Sequence, residues 1–171
     1  MVMVFLVVSL GCNKTQSQTE TSQTAPTTGQ SSQAFWSFDD VPEGELPADW
    51  KVEATNHKGS PGLWTIVKDT TAPSGQQALA MVSPPRKYGG NFNLCWTDST
   101  AFLDGEIRVE FKSIEGKVDQ GGGVMWRVQD KDNYYIARFN PLEDNFRIYY
   151  VRNGSRQKIA DARVALPAGK W

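Results

Sequence analysis

The sequence predicts an all-β protein built as an antiparallel β-sandwich, and three observations carry that expectation. Apolar and polar residues alternate with period two over short runs, most clearly in Glu106-Ile107-Arg108-Val109-Glu110-Phe111-Lys112. That alternation sets Ile107, Val109 and Phe111 on one face of a strand and the charges on the other. Turn-forming residues recur at intervals of about eight to twelve positions, the spacing of short strands in sandwiches and barrels. No apolar stripe with the 3.6-residue helical period runs for any length. The 171 residues suit about one domain, and 15 Gly with 9 Pro suit a turn-rich one. A formal net charge of -1 gives no basic footprint for nucleic acid. Two cysteines and one histidine exclude a four-ligand Cys/His zinc site and a disulfide-stapled miniprotein.

In chain order, the first element is apolar. Met1 to Leu10 carries one polar residue, Ser9, and is too short to span a bilayer as a helix, which takes about 20 residues. Its size suits the core of a secretory signal. It leads into Ser9-Leu10-Gly11-Cys12, which resembles the lipobox of bacterial lipoproteins, although Ser9 stands where that pattern favours leucine. The resemblance implies that residues 1–11 are a signal peptide, that Cys12 is lipidated, and that the protein is anchored outside the cytoplasm at the cell envelope. From Asn13 to Ala34, 15 of 22 residues are Ser, Thr or Gln, with no aromatic among them. Such a stretch buries too little apolar surface to offset its ordering entropy. Residues 12–34 therefore read as the anchoring cysteine and a tether spanning roughly 25 Å.

Residues 35–171 read as the folded domain. Ala78 to Val82 is a short strand, and a small helical turn is expected near Thr97 to Leu103. Glu106 to Lys112 is the clearest strand. Gly121-Gly122-Gly123 reads as a bulge or a close backbone approach ahead of the next strand, Val124 to Val128. The turn Asp130-Lys131-Asp132-Asn133 leads to Tyr134–Phe139, because Asp and Asn side chains bond nearby backbone and tolerate positive φ. Phe146 to Val151 and the turn Arg152-Asn153-Gly154-Ser155 extend the meander, Asn-Gly being a strong hairpin signal.

Several segments together resemble a known family. They are Phe38-Asp39-Asp40, Leu46–Trp50, Gly62–Val67, Thr71–Gly75, Gly116–Gln120, Trp126–Asp130 and Asn133–Arg138. Their order and spacing resemble the 3-keto-disaccharide hydrolase-like domain, a concanavalin A-like jelly roll often labelled as related to family 16 glycoside hydrolases. The resemblance implies a jelly-roll sandwich and a carbohydrate ligand or substrate. It also implies that further strands follow Pro167–Trp171, so that residues 35–171 are an incomplete domain. Trp171, a large apolar residue at a terminus, is expected to be exposed by fraying.

Strand parity sorts the candidate site. If Gln129 faces Tyr134 across the hairpin, then Arg127, Gln129, Tyr134 and Arg138 share one face, while Trp126, Val128, Tyr135, Ala137 and Phe139 share the core-facing one. The polar set offers fixed donors and an aromatic surface suited to sugar hydroxyls. Tyr149 and Tyr150 point to opposite faces, so only one of them joins any platform. Glu106 and Glu110 do not make a glycosidase pair. Arg108 stands where family 16 enzymes carry the middle acid of Glu-x-Asp-x-Glu, and the two carboxylates lie roughly 13 Å apart, beyond the separations of about 5–9.5 Å that glycosidases use. Oxygens of the 130–133 turn are the one place where calcium is conceivable, with an Asx-turn the simpler reading. His57 reads as an exposed loop residue and Cys95 as a buried, inert thiol. Three functions remain open: a lipid-anchored carbohydrate-binding domain, a hydrolase acting on 3-keto-disaccharides or other glycosides, and a protein- or wall-binding domain without enzymatic activity.

Overall fold

In the computed structural model the described residues are 2–9, 33–57, 60–83, 91–117 and 119–171. They form strands and turns with no helix. In chain order the strands are β1 (Val2–Ser9), β2 (Gln33–Trp36), β3 (Trp50–Thr55), β4 (Leu63–Lys68), β5 (Gln77–Ser83) and β6 (Phe92–Thr97), followed by β7 (Glu106–Ser113), β8 (Gly122–Asp130), β9 (Asn133–Asn140), β10 (Asn145–Arg152) and β11 (Ser155–Arg163). Every pairing among them is antiparallel. The all-β class is therefore as expected, and the antiparallel sheets are consistent with a β-sandwich.

Three sheets share the strands. One contains β2, β1, β5 and β4, with β7 on the other side of β1. The second is the meander β11-β10-β9-β8, and the third is the pair β3-β6. Strand β6 is packed on both sides, because alternate residues point opposite ways. Cys95 packs against Phe38, Ile66 and Leu79, whereas its neighbour Leu94 clusters with Tyr134 and Val151 of β9 and β10. The edge-on contacts of Trp50 with Trp36 (6.2 Å) and with Phe38 (5.5 Å) complete the first of these clusters. Such contacts add specific geometry to apolar burial.

The turns that the sequence marked form as turns. Asn153 and Gly154 both take positive φ, 50° and 73°, between the paired residues Arg152 and Ser155. That is the backbone a tight two-residue hairpin needs. Strand β7 alternates from Glu106 to Phe111 as expected, with the charged residues exposed and the apolar ones half-buried. The glycine run marks a close approach: a Cβ on Gly123 would collide with the Ala137 carbonyl, and one on Gly121 would collide with the Arg138 guanidinium.

Two local expectations are corrected. Residues 98–105 contain no helical turn. The Thr97 and Ser99 hydroxyls bond each other at 2.9 Å, and the Ser99 amide donates to Thr97 Oγ1 at 3.1 Å, a local side-chain bond that competes with helix. Trp171 is not left exposed. It packs against the Ala78 and Ala80 cluster, its ring lies 5.0 Å from Lys112 Nζ, and its Nε1 donates to Thr71 Oγ1 at 3.3 Å.

Candidate functional site: the outer face of β8 to β10

The four polar residues expected to share a face do not act together. Tyr134 is 3% exposed and belongs to the Leu94–Val151 core. Its hydroxyl meets Thr55 Oγ1 at 2.8 Å. Thr55 Oγ1 spends its one proton on the Lys131 carbonyl at 2.7 Å, so Tyr134 is the donor in that pair. Burial raises the Tyr134 pKa, and the Thr55 bond offsets only part of that rise. Arg138 is 8% exposed and forms an ion pair with Asp119 beneath the backbone of Gly121. Neither side chain is free to meet a ligand. Arg127 and Gln129 are exposed.

The cause lies in β8. Trp126 is opposite Tyr135 and Asp130 is opposite Asn133, so Arg127, Val128 and Gln129 together face the single residue Tyr134. Arg127 takes φ of 50° within this bulge. A bulge re-aims side chains locally. Val128 packs with Leu94, Tyr134 and Val151 instead of sharing a face with Trp126. The Arg127 guanidinium stands 5.9 Å from the Tyr135 ring centroid.

What the bulge leaves together is aromatic. Trp126 and Tyr135, partners across β8 and β9, stack with centroids 5.8 Å apart and planes at 26°. Tyr135 and Tyr150, partners across β9 and β10, follow at 6.3 Å and 48°. Tyr150 is 36% exposed, while Tyr149 on the opposite face is 6% exposed beneath Arg156. The row therefore runs across three strands, with Trp126 and Tyr135 half-buried, Tyr150 exposed and Arg127 over its middle ring. Beyond it the same face of β9 turns inward, where Phe139 meets Phe111 of β7 edge-on at 6.1 Å. Strand parity groups Trp126 with Tyr135, as the register does, but by itself parity places that face toward the core.

The other candidates resolve individually. Asp130 accepts from the Asp132 amide at 2.7 Å and from Asn133 Nδ2 at 2.9 Å, which is the Asx-turn reading. Asp132 pairs with Lys131 and accepts from the Asn56 amide at 2.9 Å. Among the described residues no group of three His, Cys, Asp or Glu side chains is placed to hold a metal. Glu106 is exposed and bonded by Arg108, and Glu110 is exposed on the same strand. His57 is exposed. Cys95 is half-buried against the Phe38 cluster, and burial pushes its thiol up to about 12, which disfavours the reactive thiolate. Recesses lined by Asp39, Glu43 and Lys68, and by Trp50, Lys51 and Asp98, include none of these residues. Cys12 and the 12–32 part of the tether lie outside the described residues, and Val2–Ser9, read as part of a signal, is strand β1. No protein-family model, curated protein or solved structure matches the chain.

Proposed function

We propose that this protein is an extracytoplasmic lipoprotein, anchored through Cys12, whose jelly-roll domain binds carbohydrate. The observation that carries the reading is the Trp126–Tyr135–Tyr150 row with Arg127 beside it. A sugar ring has apolar C–H faces and a rim of hydroxyls. Aromatic side chains answer the first, and a guanidinium with five donors answers the second. The near-neutral net charge suits an uncharged glycan. The site is thus shifted by one face from the residues that parity first singled out, with Arg127 common to both. The resemblance to 3-keto-disaccharide hydrolase-like domains points to the same ligand chemistry.

The test is binding to a panel of neutral oligosaccharides by calorimetry, with wild type beside Tyr150→Ala and Arg127→Ala. Each truncation is expected to weaken the best ligand about tenfold, the loss of one aromatic or charge-assisted contact. Wild-type protein that binds no member of the panel refutes the reading. For the anchor, Cys12→Ser is expected to move the protein from the membrane fraction to the soluble one.

A further inference from the structure

Of the chain's eight asparagines only Asn153 precedes a glycine. In such a pair the backbone nitrogen of Gly154 can attack the Asn153 side-chain carbonyl carbon, because glycine has no Cβ to obstruct the closing ring. The new N–C bond completes a five-membered succinimide. The Gly154 nitrogen gives up its proton to solvent, and the Asn153 side-chain nitrogen leaves as ammonia. Water then opens the ring at either carbonyl, which leaves aspartate or isoaspartate. Water is the only co-reactant, but the Gly154 nitrogen must lose its proton and turn toward the side chain.

The structure opposes both. The Gly154 amide donates to the Asp132 carbonyl at 3.0 Å. On its other side the Gly154 carbonyl accepts from Asn56 Nδ2 at 2.6 Å. The Asn153 amide donates to Asn133 Oδ1 at 3.0 Å. Gly154 is buried, and a Cβ built on it would run into the Asn56 carboxamide. Asn56 is fixed in its turn, because its amide donates to Asp132 Oδ1 at 2.9 Å. Beside it, Thr55 Oγ1 donates to the Lys131 carbonyl at 2.7 Å. The end of β3 thus closes over both the β8–β9 and the β10–β11 turns.

We propose that Asn153 is a modification site that the fold keeps dormant, and that Asn56 is its latch. Deamidation proceeds through a local opening in which Thr55 and Asn56 let go of the two turns. Openings of this kind take place without unfolding the rest of a domain. The product is irreversible in consequence. Isoaspartate lengthens the backbone of a two-residue turn by one carbon, which the pairing of Arg152 with Ser155 does not accommodate. Arg156 comes next, with its guanidinium 4.3 Å from the Phe92 ring and 4.5 Å from the Tyr149 ring. The contact of β6 with β10 and β11 is therefore the first to suffer. The inference stands apart from the carbohydrate reading.

The experiment incubates the full chain in mildly alkaline buffer, both folded and in unfolding concentrations of urea. Peptide mapping follows Asn153 through the mass gained when an amide becomes an acid. Folded wild type is expected to convert at least about tenfold more slowly than the unfolded chain. Asn56→Gly keeps the left-handed backbone that φ of 53° requires and removes Nδ2. It should recover several-fold of the suppressed rate while its urea midpoint shows that it is folded. Hydrogen exchange at the Gly154 amide of wild type measures the opening independently of any variant. Rates that are equal in folded and unfolded wild type overturn the proposal, as does deamidation that fails to rise with Gly154 exchange as urea is added below the unfolding transition. A folded Asn56→Gly protein that converts no faster than wild type removes Asn56 as the latch.

Discussion

Replacing Lys112 by Met tests how β7 is attached to the rest of the domain. The Lys112 and Asp69 side chains are 10% and 11% exposed, so their ion pair is shielded from water. Lys112→Met keeps most of the aliphatic stem and removes the charge, leaving the Asp69 carboxylate buried with only Thr71 to bond it. Breaking a buried pair from one side costs about 3–5 kcal/mol, and the lost contact with the Trp171 ring adds up to about 1 kcal/mol. We expect about 3 kcal/mol, the lower end, because Thr71 continues to stabilise the carboxylate. In urea unfolding this is a fall in midpoint of roughly 1–2 M. The double variant Lys112→Met/Asp69→Asn should cost less than the sum of the single variants by about 1–3 kcal/mol. The pH dependence has a definite sign. Burial acts to raise the Asp69 pKa, but the bonds from Lys112 and Thr71 outweigh it, and the net value is lowered. The advantage of wild type over Lys112→Met is therefore present at neutral pH and lost as the pH falls below the ordinary aspartate value toward that of folded Asp69. A Lys112→Met variant within about 0.5 kcal/mol of wild type, the range of a plain surface substitution, or strict additivity in the cycle, refutes the argument.

Two further outcomes follow from buried groups. Tyr134→Phe leaves the Thr55 oxygen without its incoming proton and should cost about 1 kcal/mol in the same urea assay. Because burial raises the Tyr134 pKa, wild type alone should lose stability from this group as the pH climbs above the ordinary tyrosine range. Cys95, with its thiol held near 12, should resist iodoacetamide at pH 8 in the folded protein and react once urea is added, as mass spectrometry would show. Rapid labelling of the native thiol would contradict its place against Phe38, Ile66 and Leu79.

The part of the fold that was legible in the sequence is the part governed by local pattern. Strand β7 has one exposed and one covered face, so its alternation announces it. The β8–β9 and β10–β11 hairpins are fixed by Asp130 to Asn133 and by Asn153-Gly154, residues whose side chains and backbone preferences select the turn. Strand β4, Leu63-Trp64-Thr65-Ile66-Val67, is apolar at every position but Thr65, so it shows no clear period of two. Strand β1 is illegible as a strand for a different reason: apolar residues without alternation suit a signal as well as a sheet interior. The candidate site failed on a related point. Strand β9 is covered by β6 on the Tyr134 side and by β7 at Phe139, so alternation alone did not tell which tyrosine faces out. The three residues of β8 opposed to Tyr134 then moved Val128 and Arg127 in a way that no parity count anticipates.

The positive φ at Arg127 sets stability against binding at a single position. A side chain in that region costs about 1–2 kcal/mol relative to the ordinary backbone regions, and glycine would relieve most of it. Glycine, however, presents no guanidinium over Tyr135. The residue that best suits the bulge and the residue that best suits the proposed sugar ligand are therefore different, and the chain carries an arginine with φ of 50° there. Gains in thermal stability sought at this bulge would come out of the surface proposed to recognise sugars, whereas gains sought around the Lys112–Asp69 pair would leave that surface untouched.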